Sequence, residues 1–162
     1  LMELVTDADG DAAPRLNDVD FTPDDARRHH ASLITEVIRM LCAGVVHSGL
    51  SELNILLAED GPVCIDLPQA LDAACNNHAN RILLRDVSNL RNFFCRFAPD
   101  FLTIDYANEM WDLYQRGVLY PDTRLTGHFK RKTGPVDLGG VLREIGDASA
   151  EEAARRVRMA QS

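Results

Sequence analysis

Asn54 and Asp66 are oxygen donors standing at the two open ends of one short β-type pattern. Between them, "ILL" (55–57) and "VCI" (63–65) are β-rich runs joined by "AEDGP", with Asp60 and Gly61 supplying the turn. A five-residue loop centred on Asp60 pairs Leu57 with Val63, and Ile55 with Cys64 or Ile65 according to register. In the symmetric register Asn54 falls opposite Asp66, and directly opposed residues of an antiparallel pair lie about 4.5–5.5 Å apart at Cα. An amide and a carboxylate so placed suit Mg²⁺, which takes hard oxygen ligands. A protein often supplies only one or two of them, and phosphate oxygens and water complete the shell. Mn²⁺ accepts the same kind of site. Phosphoryl transfer needs one more group beside the metal, a carboxylate that orients the acceptor hydroxyl and takes its proton.

The elements that must position these residues are mostly helical. Residues 1–5 read as an extended segment, and "TDADGDAAPRLNDVD" (6–20) as a polar loop. Thr22 and Pro23 then open a helix, Thr as N-cap and Pro in the first turn, with Asp24 and Asp25 where the helix dipole favours acids. Ala26, Leu33, Ile34, Val37, Ile38 and Leu41 form one apolar stripe that ends near Gly44. "VVHSGLSELN" reads as a loop leading to the hairpin, and "LPQALDAACNNHAN" after it as a short irregular or helical piece. Asn77 is the expected cap of a long helix over 78–97, with Ala79, Ile82, Leu83, Val87, Leu90, Phe94 and Phe97 on its apolar face, and Pro99 breaks it. A third helix is expected near 103–116, closed by Gly117, and a fourth near Pro135 with Val141, Leu142 and Ile145. The expected class is α+β, mostly α, with one small sheet.

The 162 residues suffice for one domain with its own core, and 46% hydrophobic with 26% charged residues is ordinary for a soluble globular protein. A net charge of −8 makes nucleic acid an unlikely partner, although "HFKRK" (128–132) is a local basic cluster. No apolar run approaches the roughly 18 residues that would cross a membrane, and the acidic start "LMELVTDADG" is not a signal peptide. Cys42, Cys64, Cys75 and Cys95 share no CxxC spacing, so they read as buried free thiols of a cytoplasmic protein.

With the loop, the Asn, the hairpin and the Asp in this order, residues 47–94 resemble the RIO family of atypical serine/threonine protein kinases, and its bacterial and archaeal members most. The family's catalytic loop reads His-x-Asp-Leu-Ser-x-x-Asn, followed by a hairpin and an Ile-Asp-x-x-Gln segment. Here the loop is His47, Ser48, Gly49, Leu50, Ser51, Glu52, Leu53, Asn54, and the segment is Ile65, Asp66, Leu67, Pro68, Gln69. "LMELV" followed by "APRL" resembles the family's hinge, which implies that backbone groups at Glu3 and Val5 bind adenine. The similarity covers roughly residues 1–120 and weakens towards the end of the chain.

The resemblance implies the C-lobe of a protein-kinase-like fold, with the hairpin carrying the metal ligands. It divides the chain into a hinge and linker (1–20), the lobe (21–146) and a charged tail (147–162). It also implies ATP and Mg²⁺ as cofactors, Asn54 and Asp66 as metal ligands, and transfer of the ATP γ-phosphate to a Ser or Thr of a protein substrate, autophosphorylation included. Two departures bear on this. Gly49 stands where the family keeps its catalytic Asp, and glycine can neither orient the hydroxyl nor take its proton. Nor does a glycine-rich loop or strand lysine precede the hinge, so an N-terminal lobe is expected from a preceding segment or a partner chain.

The smaller roles follow from residue type. His47 is expected to brace its loop, and Ser51 to cap a turn or touch phosphate or substrate. Asp86 beside Arg85 is expected to form an ion pair or a buried hydrogen bond to the catalytic loop. Phe93, Phe94 and Phe97 at helical spacing are core. Two other functions fit the same residues: a pseudokinase or scaffold that binds ATP and Mg²⁺ without transfer, and a small-molecule phosphotransferase built on the same lobe.

Overall fold

The computed structural model describes residues 4–67, 70–130 and 154–157. The chain forms two compact units, Leu1–Phe129 and Lys130–Ser162. In the second unit Ala154, Arg155, Arg156 and Val157 are helical and exposed, and the expected helix near Pro135 lies outside the described residues.

In the first unit the order is α1 (Pro23–Cys42), β1 (Val45–Val46), β2 (Ile55–Ala58), β3 (Gly61–Cys64), β4 (Leu71–Asp72), α2 (Ala79–Phe94) and α3 (Tyr106–Gln115). Helix α1 starts as its sequence dictates. Thr22 Oγ1 accepts a hydrogen bond from Asp25 N at 3.2 Å, Pro23 sits in the first turn, and Asp24 and Asp25 follow. Just past its end, Gly44 takes φ +80°, the left-handed conformation that closes a helix. Helix α2 is shorter than its apolar pattern suggests. It stops at Phe94, leaving Phe97 to pack from the following turn, and its N-cap is His78, which offers no side-chain cap. Pro99 opens a 3₁₀ turn, Pro99–Thr103, that delays α3 until Tyr106, where Asp105 accepts from Asn108 N at 3.2 Å.

The strands differ from the sequence expectation in two ways. Val45–Val46 and Leu71–Asp72, read as loop and irregular segments, pair antiparallel as β1 and β4, so two small sheets stand where one was expected. Two-residue strands carry too little alternation to show in a sequence. The β2–β3 hairpin takes the Ile55–Cys64 alternative and not the symmetric register that pairs Leu57 with Val63. Ile55 pairs with Cys64, Leu56 with Val63, Leu57 with Pro62 and Ala58 with Gly61. A tight turn through Glu59 and Asp60 replaces the five-residue loop, with Gly61 at φ +126°. The linker is more than a polar loop. Leu57 N donates to Pro14 O at 2.8 Å, Arg15 bridges to Leu56, and Leu16 is wholly buried.

The core lies between α1, α2 and α3, on Leu33, Val37, Leu41, Leu83, Leu90, Phe94 and Met110. All four cysteines are free, as expected, but none is fully buried. Cys42, Cys64 and Cys95 are half-buried and Cys75 is exposed.

His30 of α1 packs inside the aromatic part of this core, 4.4 Å from the Phe101 ring centre, 5.5 Å from Phe94 and 5.8 Å from Tyr106. Its Nε2 has no hydrogen-bond partner among the described residues. Burial pushes the imidazole from its ordinary 6.5 down to about 4. The unfolded chain therefore takes up this proton first on acidification. The stability tied to neutral His30 is full above pH 6.5 and is lost as pH falls through about 4. The span of the shift corresponds to roughly 3 kcal/mol. His30→Phe keeps the ring contacts and removes the proton site, so urea midpoints of the variant should fall less than those of the parent between pH 7 and pH 4.5. Superimposable profiles would mean His30 is not the titrating group.

Candidate active site

The loop 47–54 connects β1 to β2, and side chains of α2 hold it through its backbone. Ser48 N donates to Asp86 Oδ2 at 2.8 Å, and Arg85 Nη2 donates to Ser48 O at 2.6 Å. Asn89 Nδ2 donates to Leu50 O at 3.1 Å, and from the loop's own end Asn54 Nδ2 donates to Gly49 O at 2.6 Å. Arg85 and Asn89 are one helical turn apart, so both reach the same side of the loop. These bonds sustain an unusual backbone. Ser48 has φ +67°, a left-handed conformation that costs a non-glycine residue roughly 1 kcal/mol or more.

Asp86 is nearly inaccessible, with 1% of its surface exposed. Burial raises its carboxyl above the ordinary range, while Arg85 at 3.3 Å and the Ser48 N–H pull it back. The expected ion pair and buried hydrogen bond to the loop are both present. Asn89 was not singled out from the sequence, and its signal was the helical spacing from Arg85.

His47 is buried, and its Nε2 lies 2.8 Å from Ile65 O. A carbonyl only accepts, so this ring nitrogen carries the proton. The bond ties the loop to the segment that carries Asp66. Ser51 shapes the next turn: its Oγ accepts from Leu53 N at 3.3 Å, and its carbonyl from Asn54 N at 3.0 Å.

Asn54 and Asp66 are not directly opposed. The shifted register makes Ile65 the partner of Asn54, with Ile65 N donating to Asn54 O at 2.9 Å. Asp66 follows one residue later at φ +68°, leaving the strand direction, and is exposed. The two residues still stand at the same open end of the hairpin. With its Nδ2 engaged by Gly49 O, Asn54 keeps Oδ1 as the amide atom for a cation. Asp66 adds a carboxylate. Both are hard oxygen donors of the kind Mg²⁺ takes. Among the described residues no group of three or more His, Cys, Asp or Glu gathers at one point. A cation here would thus draw on few protein ligands.

Val5 is half-buried, and its carbonyl accepts from Ala13 N at 2.9 Å. Glu3 lies outside the described residues, as do Pro68 and Gln69 of the metal segment.

A helical lobe whose loop is bound to a central helix and closed by a short hairpin is kinase-like in class. The RIO domain family model matches residues 1–107, and the chain belongs to that family. It is 39% identical over 93 residues to the serine/threonine-protein kinase RIO3 of Caenorhabditis elegans, covering 54% of this chain and 18% of that protein. It is 39% identical over 102 residues to the RIO-type serine/threonine-protein kinase Rio1 of Haloferax volcanii, covering 62% and 33%. With the serine/threonine-protein kinase rio1 of Schizosaccharomyces pombe it shares 32% over 108 residues, covering 64% and 21%. The chain thus spans a third or less of each of these relatives.

Proposed function

We propose that this chain is the C-lobe of a RIO-type serine/threonine protein kinase, holding ATP through a divalent cation, Mg²⁺ or Mn²⁺, on Asn54 and Asp66. The observation that carries the reading is the Asn54–Gly49 hydrogen bond. It fixes the amide nitrogen against the catalytic loop, which supports Oδ1 as the atom offered to the cation. The cation would draw charge from the phosphates. The chain's own residues would position the rest: Val5 N–H and the backbone of Glu3 towards adenine, and His47 locking loop to metal segment. The substrate is a protein Ser or Thr hydroxyl, and a nucleotide-covering lobe comes from a preceding segment or a partner chain. The cytoplasm, where ATP and protein acceptors coexist, is the proposed location. Among the described residues no helix is long and apolar enough to cross a membrane.

A second reading is favoured by Gly49, which offers no carboxylate: a pseudokinase or scaffold that binds ATP and Mg²⁺ without transferring phosphate. Ser51, bound within its own turn, is assigned loop support rather than phosphate contact.

Fluorescent ATP titrated with and without Mg²⁺ tests the shared part of both readings. Binding should tighten with Mg²⁺, and Asp66→Ala should weaken the Mg²⁺-dependent component by about tenfold or more, the scale of a lost charged contact. Metal-independent binding, equal in Asp66→Ala and the parent, would sink the metal assignment. A screen of protein, aminoglycoside and choline acceptors then separates a protein kinase from a small-molecule phosphotransferase.

A further inference from the structure

A groove runs between the catalytic loop and the C-terminal half of α2, lined by Glu52, Asn89, Asn92, Phe93 and Arg96. Its volume is about 210 Å³, and it is open to solvent on one side. Its floor is Phe93, which is 4% exposed. The Arg96 guanidinium lies over this ring and over Phe97, 5.6 and 5.5 Å from their centres, an arrangement that fixes its position without neutralising its charge. Among the described residues neither Arg96 nor Glu52 forms an ion pair. The groove is therefore lined by a carboxylate and a guanidinium that form no ion pair among the described residues, together with two carboxamides. Asn89 also joins it to the transfer site, since its Nδ2 holds Leu50 O, the carbonyl immediately after Gly49.

We propose that this groove seats an extended segment of the acceptor protein, with a basic side chain of that segment against Glu52 and an acidic one against Arg96. The inference rests on the kinase reading and adds to it a substrate chemistry. Carboxamides suit a peptide main chain, which offers donors and acceptors in alternation. Polyanions fit poorly, because Glu52 would repel what Arg96 attracts, and a lone cation meets the converse difficulty. Position sets the register: a segment lying here has its acceptor hydroxyl carried towards residues 49–50.

The test uses the full 162-residue chain, immobilised, and a pool of serine-containing decapeptides randomised at the flanking positions, with bound sequences read by mass spectrometry. The bound pool should be enriched in Lys or Arg at one position and in Asp or Glu at another, by about fivefold, the upper scale of an exposed ion pair. Glu52→Lys should reverse the first preference alone, and Arg96→Glu the second alone. Two results would overturn the proposal. One is a pool without position-dependent charge, or one that neither variant alters. The other is a doubled sedimentation mass abolished by Arg96→Glu, which would make a second copy the occupant. ATP titrations of the same variants keep the two claims apart. Unchanged Mg²⁺-dependent ATP binding with failed peptide selection removes the groove and leaves the kinase reading. Charge-selective peptide binding without ATP binding does the opposite.

Discussion

Gly49→Asp, made in this chain fused behind the nucleotide-covering lobe of a RIO relative, should raise transfer of the ATP γ-phosphate to a Ser or Thr acceptor by about 10²–10⁴-fold, the usual worth of a positioned acid–base group. The loop is already shaped for the exchange. Its backbone at Ser48, Gly49 and Leu50 is held by Asp86, Arg85, Asn54 and Asn89, so a carboxylate added at residue 49 enters a fixed frame. Because Asn54 binds the Gly49 carbonyl rather than a side chain, the substitution leaves the proposed metal apparatus in place. Radiolabelled ATP with a generic protein acceptor reads the outcome. Equal rates in the Gly and Asp forms would remove position 49 from the reaction and leave the binding-only reading without its cause.

The second large effect belongs to Asp86. Removing it with Asp86→Ala leaves the Ser48 N–H without its acceptor and Arg85 without its ion-pair partner, in a site that is 1% exposed on the Asp86 side. A hydrogen bond to a charged group contributes about 1.5–3 kcal/mol, and the loss should be of that size. Ser48 would also lose part of what sustains its φ of +67°, so the loop should loosen beyond the global destabilisation. Asp86→Asn offers a milder comparison: its amide oxygen still accepts from Ser48 N, but it is a poor partner for Arg85. Urea unfolding of the three forms should rank parent, Asn, Ala in falling stability. Hydrogen exchange at Ser48 should accelerate more than at the core helices. If Ala matches the parent in midpoint and in exchange, the carboxylate is not what holds the loop.

Carboxyl titration adds a sign to this prediction. Asp86 has a raised affinity for its proton in the folded chain because it is buried. The folded state therefore binds that proton before the unfolded state does. This group's contribution is most favourable at acid pH, below its unfolded value, and declines as pH rises through its raised folded value. His30 runs the other way, and it should dominate the acid limb, since nothing offsets its burial.

The helices were largely legible in the sequence because each carries its own signals. Thr22–Pro23 with two acids begins α1, Gly44 and Gly117 close helices with positive φ, and an apolar stripe runs between. The hairpin's existence was equally plain, but its register was not. One residue separates a loop centred on Asp60 from the turn at Glu59–Asp60, and the strands alternate too weakly to choose. The register is set by the tight turn at Glu59–Asp60, while the linker pairs with the outer edge of β2 through Pro14 and Arg15. That shift moved Asn54 from opposite Asp66 to opposite Ile65. The site's residue types were thus readable, while their exact facing depended on a one-residue difference in the turn. Asn89 escaped for a related reason, since an Asn on a helix has no pattern of its own until its loop partner is known.

The central claim is that Asn54 and Asp66 hold a cation with ATP at the mouth of the hairpin. Paramagnetic broadening by Mn²⁺ on the isotope-labelled chain, recorded with and without ATP, tests it most directly, because it reads proximity even when binding is weak. Selective loss of the amide signals of Gly49, Asn54, Ile65 and Asp66 is expected, deepened by ATP and abolished in Asp66→Ala. Broadening centred on other residues, or broadening there that survives Asp66→Ala, would contradict it.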